Sequence, residues 1–115
     1  MNTFELRLHP IYFERIKAGS KTIEMRLLDE KRQQYKVGDY LIFKKRPEET
    51  EIIKTKIVNL YKVKSFAELY NSFNKIQLGY KENETANPKD MQEFYSLEDQ
   101  QKYGVVGIEI ELIKE

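Results

Sequence analysis

The stretch AGSKTIEMRL, residues 18–27, decides the fold. After Gly19 the side chains alternate, with Ile23, Met25 and Leu27 on one face and Thr22, Glu24 and Arg26 on the other, the period of a β-strand. Upstream, PIYFERIKAG (10–19) opens with a proline suited to a first helical turn and closes on a glycine suited to a left-handed cap. A helix of about two turns therefore feeds the strand. TFELRLH (3–9) alternates as well, with Phe4, Leu6 and Leu8 on one side, so the chain starts β-α-β.

Downstream, LDEKRQQYKVGD (28–39) is polar and ends in Gly38-Asp39, which marks a loop and turn before a third strand, YLIFKK (40–45). After the turn-like RPEET, the β-branched run EIIKTKIVNLYKV (51–63) changes apolar parity between Ile53 and Val58 and is expected to bend there. Ser65 and Glu68 have the spacing of a capping box for a helix in SFAELYNSF (65–73). NPKDMQEFYS (87–96) and SLEDQQKYG (96–104) suggest two more short helices, and VVGIEIELI (105–113) closes the chain as a strand with Val106, Ile108, Ile110 and Leu112 on one side. The expected fold is α+β: a small mixed β-barrel of about five to six strands with short helices packed at its openings.

A length of 115 residues and 40% hydrophobic content suit one core, hence a single domain over 1–115. The absence of cysteine excludes a disulfide framework, a thiol nucleophile and a cysteine-based zinc site, and fits a reducing compartment. No apolar run approaches the roughly 20 residues of a membrane span, and MNTFELRLHP lacks the pattern of a signal peptide. A cytoplasmic protein with no membrane partner is expected; the oligomeric state stays open, with a monomer favoured. Charge is uneven: residues 1–64 carry a balance of +6 and residues 65–115 one of −5. The basic part suits a polyanion, through phosphate neutralisation and counterion release.

Glu24 and Arg26 are two apart on a strand, so they share a face and lie roughly 6–7 Å apart along it. Lys21 joins them only if it lies in the entering turn or a bulge intervenes, and Gly19 favours the turn. The set Gly19-x-Lys21-x-x-Glu24-x-Arg26, the Gly38-Asp39 turn before a strand, and Tyr103-Gly104-Val105-Val106 near the end together resemble the ASCH (activating-signal-cointegrator homology) domain. The resemblance covers essentially the whole chain. It implies a β-barrel similar to the PUA domain of RNA-modifying proteins, with RNA or a small nucleoside as the ligand. One bacterial branch of the family hydrolyses the amide of N(4)-acetylcytidine with a lysine, a threonine and a glutamate. Its lysine corresponds to Lys21, its threonine to Glu24, and its glutamate falls in the insertion, where Glu82 and Glu84 are candidates. The hydroxyl nucleophile of that branch is thus missing here.

Three roles fit the block. As a catalyst, Glu24 would activate water, Lys21 would stabilise an oxyanion and Arg26 would orient the substrate. As a binding site, Lys21 and Arg26 would grip phosphate or a base edge while Glu24 accepts from an exocyclic amine. The plain alternative is a Glu24–Arg26 ion pair on a solvated face with Lys21 exposed. The resemblance favours a ligand pocket that also includes Thr22. The expectation is then that Lys21→Ala and Glu24→Ala abolish ligand effects while leaving thermal stability nearly unchanged. Tyr95 and Tyr103, where the insertion returns beside the motif strand, are candidate stacking residues; Lys44 and Lys45, with Arg46, are candidate phosphate contacts at a hairpin tip. His9 suits a helix cap better than a base, and no metal or cofactor is expected. No phosphate loop, Ser-His-Asp set or zinc spacing is present. The expected function is RNA or nucleoside recognition, with a small amidohydrolase acting on N(4)-acylcytidine as the alternative. A protein-partner role for the acidic insertion is a third class.

Overall fold

In the computed structural model, which describes residues 1–114, five strands form one curled sheet; Glu115, part of the expected domain, lies outside the described residues. The strands are β1 (Thr3–Leu8), β2 (Ile23–Leu27), β3 (Tyr40–Lys45), β4 (Ile52–Val63) and β5 (Val105–Leu112), in the spatial order β1-β3-β4-β5-β2. β1 runs parallel to β3, and the other neighbours are antiparallel. The sheet is a half-barrel whose edge strands are β1 and β2, so the expected mixed barrel is found in an open form with five strands.

The β-branched run of β4 bends where its parity changes. Its register against β5 shifts between Ile57 and Asn59, a bulge at Val58 that lets one long strand curl. α1 (Pro10–Lys17) starts at Pro10 with His9 as its cap, the imidazole Nδ1 accepting from the Ile11 N–H. It seals the concave side by burying Phe13 and Ile16 among Leu6, Leu8, Leu41, Phe43, Ile57, Val106 and Ile108. The expected loop 28–39 contains a single 3-10 turn at Arg32–Gln34.

The insertion carries α2 (Phe66–Ser72), α3 (Lys75–Leu78), a 3-10 segment at Pro88–Glu93 and α4 (Leu97–Tyr103). The expected Ser65–Glu68 capping box does not form. Ser65 makes no side-chain cap, and Glu68 Oε2 instead accepts from the Lys64 N–H at 3.2 Å. A reciprocal cap occurs one helix later, at α3: Asn74 Oδ1 accepts from the Ile76 N–H and Gln77 Oε1 from the Asn74 N–H. These helices cover the convex side of β2 and β5 through a second core of Ile23, Met25, Leu27, Phe66, Leu69, Leu78 and Val105. Gly107 permits that approach, because a Cβ there would lie 2.9 Å from Leu69 Cδ2. Among the described residues no helix is long and apolar enough to cross a membrane.

Candidate functional site

The two-sided burial of β2 locates the site. Ile23, Met25 and Leu27 point outward into the core beneath the helices, so the alternation of the strand turns Glu24 and Arg26 to the other face. Their cross-strand partners on β5 are Ile108 and Val106, both members of the concave core. The solvated face of the plain alternative is therefore corrected: Glu24 and Arg26 belong to the barrel interior, and the Glu24 side chain is 7% exposed.

Lys21 is buried too, which also removes the exposed lysine of the plain alternative. Because β2 begins at Ile23, Lys21 sits in the entering turn, held by bonds from the Ser20 and Lys21 N–H groups to the Arg15 carbonyl. Its ammonium donates to the Ile23 and Leu78 carbonyls at 2.8 and 2.9 Å and lies 3.2 Å from Glu24 Oε1. Those three partners match its three N–H donors. The other oxygen of Glu24 accepts from Arg26 Nε at 2.9 Å. Arg26 Nη2 also donates, at 3.2 Å, to the Arg7 carbonyl on β1.

One carboxylate thus lies between two cations. Burial pushes the Glu24 carboxyl up, but Lys21 and Arg26 outweigh it and hold the group below the ordinary carboxylate range. Burial pushes Lys21 down; Glu24 opposes that, while Arg26 and Arg15 add to it. For Arg26, burial works downward, but Glu24 prevails and raises it. As a general base Glu24 is poorly suited, since both oxygens are engaged and its proton affinity is lowered. As an oxyanion donor Lys21 would first have to release a partner.

Gly79 closes over the ammonium in a left-handed conformation (φ +112°), where a Cβ would lie 3.0 Å from Lys21 Cδ. Arg15 Nη1 bonds the Gly79 carbonyl and pairs with Glu84 at 3.0 Å, while Lys21 Nζ lies 5.9 Å from the Tyr12 ring. Of the two insertion candidates, Glu84 therefore reaches α1 through Arg15; Glu82 offers its carbonyl to Lys75. Nearby, Tyr70, Tyr80 and Asp90 form a hydroxyl relay with both links at 2.7 Å.

The remaining expected residues separate. Tyr95 stacks on Phe66 (centroids 5.5 Å, 24° between planes), and its hydroxyl is raised by burial and feels both Arg26 and Glu24. Tyr103 packs against the outer core, with Lys102 Nζ 5.0 Å from its ring; the Gly104 carbonyl accepts from the Leu28 N–H just beyond β2. Thr22 Oγ1 is buried without a hydrogen-bond partner, and Thr22 and Lys21 border a mainly apolar concavity of about 670 Å³ beside the end of β5. Lys45 turns toward Glu14 and Glu51, at 3.2 and 3.6 Å. Lys44 joins Arg26 in a groove of about 400 Å³ between β1 and the 3-10 turn.

That groove is the part sequence reasoning missed. It is also lined by Arg7, Lys31, Arg32 and Arg46, with Phe4 and Tyr35 in the wall, their rings 4.5 Å apart. Its signals in the sequence were the +6 balance of residues 1–64 and the candidates Arg26, Lys44 and Arg46; Arg7, Lys31 and Arg32 carried no signal of their own. Among the described residues, no group of three or more His, Asp or Glu side chains is arranged to hold a metal ion.

Residues 6–114 match the ASCH domain family. Among solved structures, the hypothetical protein PH0355 is 36% identical, superposes with a TM-score of 0.81, and aligns over 96% of this chain and 99% of its own. Protein PF0455 from Pyrococcus furiosus, solved by NMR, is 31% identical with a TM-score of 0.75, over 98% of this chain and 99% of its own. The ZmASCH S128A mutant protein from Zymomonas mobilis shares the fold at 13% identity, with a TM-score of 0.60, over 93% of this chain and 66% of its own. No functionally curated protein matches the chain.

Proposed function

The chain belongs to the ASCH domain family, and on that footing we propose that it recognises RNA, holding a nucleoside unit where the Lys21–Glu24–Arg26 block meets the groove. The observation that carries this reading is the double placement of Arg26. Its Nε and Nη2 are fixed by Glu24 and the Arg7 carbonyl, and the same guanidinium lines the groove. Nη1, with two N–H donors, makes no hydrogen bond among the described residues. A planar fork fixed on one side and free on the other suits a phosphate or the acceptor edge of a base.

Within this reading, Lys21 and Glu24 act as positioning residues. Burying three charges in a small domain is costly, and apolar residues would serve stability as well or better. Presenting one preorganised guanidinium explains their presence. Tyr95, whose hydroxyl feels Arg26, is proposed as the stacking partner for a base.

Amide hydrolysis is the weaker alternative, because the groups at positions 21 and 24 are already saturated. The test is fluorescence anisotropy of a labelled single-stranded RNA with wild type and Arg26→Gln, alongside chromatography of N(4)-acetylcytidine incubated with the protein. RNA binding that drops at least tenfold in the variant, with no cytidine released, supports recognition. Cytidine release by wild type that is absent in Lys21→Ala would replace it with catalysis.

A further inference from the structure

Around the groove at the sheet opening stand six cations: Arg7, Arg26, Lys31, Arg32, Lys44 and Arg46. Four carboxylates answer them. Glu49 pairs with Arg7, Glu24 with Arg26, Asp29 with Arg32 and Glu5 with Lys44. Two positive charges are left over, and Lys31 and Arg46, both exposed, form no ion pair among the described residues.

Arg32 adds an independent observation. Its Nε is buried and has no hydrogen-bond partner. Asp29 Oδ1 lies 3.7 Å away, beyond hydrogen-bond range, and accepts instead from the Arg32 backbone N–H at 3.1 Å. A buried N–H left unsatisfied costs about 1–3 kcal/mol, so Asp29 compensates the Arg32 guanidinium only in part and leaves positive charge at the groove for an anion from outside the chain.

We propose that this groove is a phosphate track for single-stranded RNA. The guanidinium groups of Arg32 and Arg26, both lining the groove, take the oxygens of one phosphodiester, and Lys31 and Arg46 meet the flanking phosphates. The proposal rests on the recognition reading and deepens it, since it assigns the phosphates of the RNA strand to Arg26 and to named side chains outside the ion triad. The groove volume suits a nucleotide-sized unit, and Phe4, half-buried in the wall, offers a ring to an unpaired base.

The test is the salt dependence of binding of a labelled single-stranded oligoribonucleotide. It compares wild type, Lys31→Ala/Arg46→Ala, Arg32→Gln, and a control, Lys62→Ala/Lys64→Ala, that removes two exposed lysines outside the groove. For single strands the slope of log K against log salt falls by about 0.7 for each phosphate that the protein no longer neutralises. The Lys31/Arg46 variant, whose substitutions are on exposed side chains, is expected to lower the slope by about 1.4 and the control to leave it unchanged. Arg32→Gln is expected to lower it by about 0.7, with its melting curve checked for folding. Equal slopes in wild type and both groove variants would overturn the track while leaving recognition at Arg26 standing. Failure of wild type to bind any RNA would remove both. Equal competition by inorganic polyphosphate of matched charge would overturn RNA as the occupant.

Discussion

Arg26 on β2 donates through Nη2 to the carbonyl of Arg7 on β1 at 3.2 Å, and this side chain bridges two edge strands that share no backbone ladder. The same guanidinium is fixed by Glu24, so the half-barrel opening and the buried ion triad are coupled through one residue. Arg26→Ala is expected to destabilise the fold by ~1–3 kcal/mol in urea unfolding, through loss of charge-assisted hydrogen bonds. Arg26→Lys, which keeps the charge but lacks the planar fork, should fall between Ala and wild type. An Arg26→Lys variant as stable as wild type would show that the bridge contributes nothing.

Removing Glu24 leaves Lys21 and Arg26 facing each other without an anion in a buried site. Glu24→Ala is expected to cost ~3–5 kcal/mol, which reverses the expectation, drawn from the ligand-pocket reading, that stability would be nearly unchanged. A loss below about 1 kcal/mol by the same unfolding measurement would mean that the site is effectively solvated.

Acid should expose the same triad. Glu24 holds its proton more weakly when folded than at its ordinary value of 4.5, so below that pH the unfolded chain binds more protons than the native one. The stability it confers is complete above about pH 4.5 and is lost as pH falls through its folded value. Melting temperature measured from pH 6 to pH 3 should therefore drop less steeply in Glu24→Gln than in wild type, with Glu51, held low by Lys17, and Glu84, held low by the Lys81 backbone N–H and then by Arg15, supplying part of the remaining slope. Parallel curves would show that Glu24 does not titrate differently on folding.

Gly79 combines a left-handed backbone with a position directly over Lys21. Gly79→Ala is expected to destabilise by ~1–2 kcal/mol from the backbone alone, with a further loss from displacing the ammonium. A wild-type melting temperature would mean that both the backbone and the ammonium relax freely.

The order of elements along the chain could be read where local chemistry was decisive, whereas the spatial strand order and the Ser65–Glu68 cap could not. Pro10, Gly38 and Gly104 punctuate elements as expected, and the parity change in EIIKTKIVNLYKV marks the bulge at Val58. The short helix at 75–78 was not legible, because its cap, Asn74 with Gln77, follows directly on a helix pattern that closes its own segment. Burial of Glu24 was hidden for a physical reason. Alternation shows that a strand has two faces, but not that a second layer of helices covers the apolar one and turns the polar one into a barrel. The groove was illegible because Arg7, Arg32 and Arg46 come from separate parts of the chain that meet only when β1 and β2 curl toward each other.

The most direct test of recognition at Arg26 is an NMR titration of isotopically labelled protein with single-stranded RNA, following the arginine side-chain Nε–H signals and the backbone amides. The Nε–H signals of Arg26 and Arg32 are expected to shift first, together with amides of β1 and of residues 31–35. Shifts confined to the acidic insertion, residues 66–103, or no shifts at saturating RNA, would contradict RNA recognition at this site.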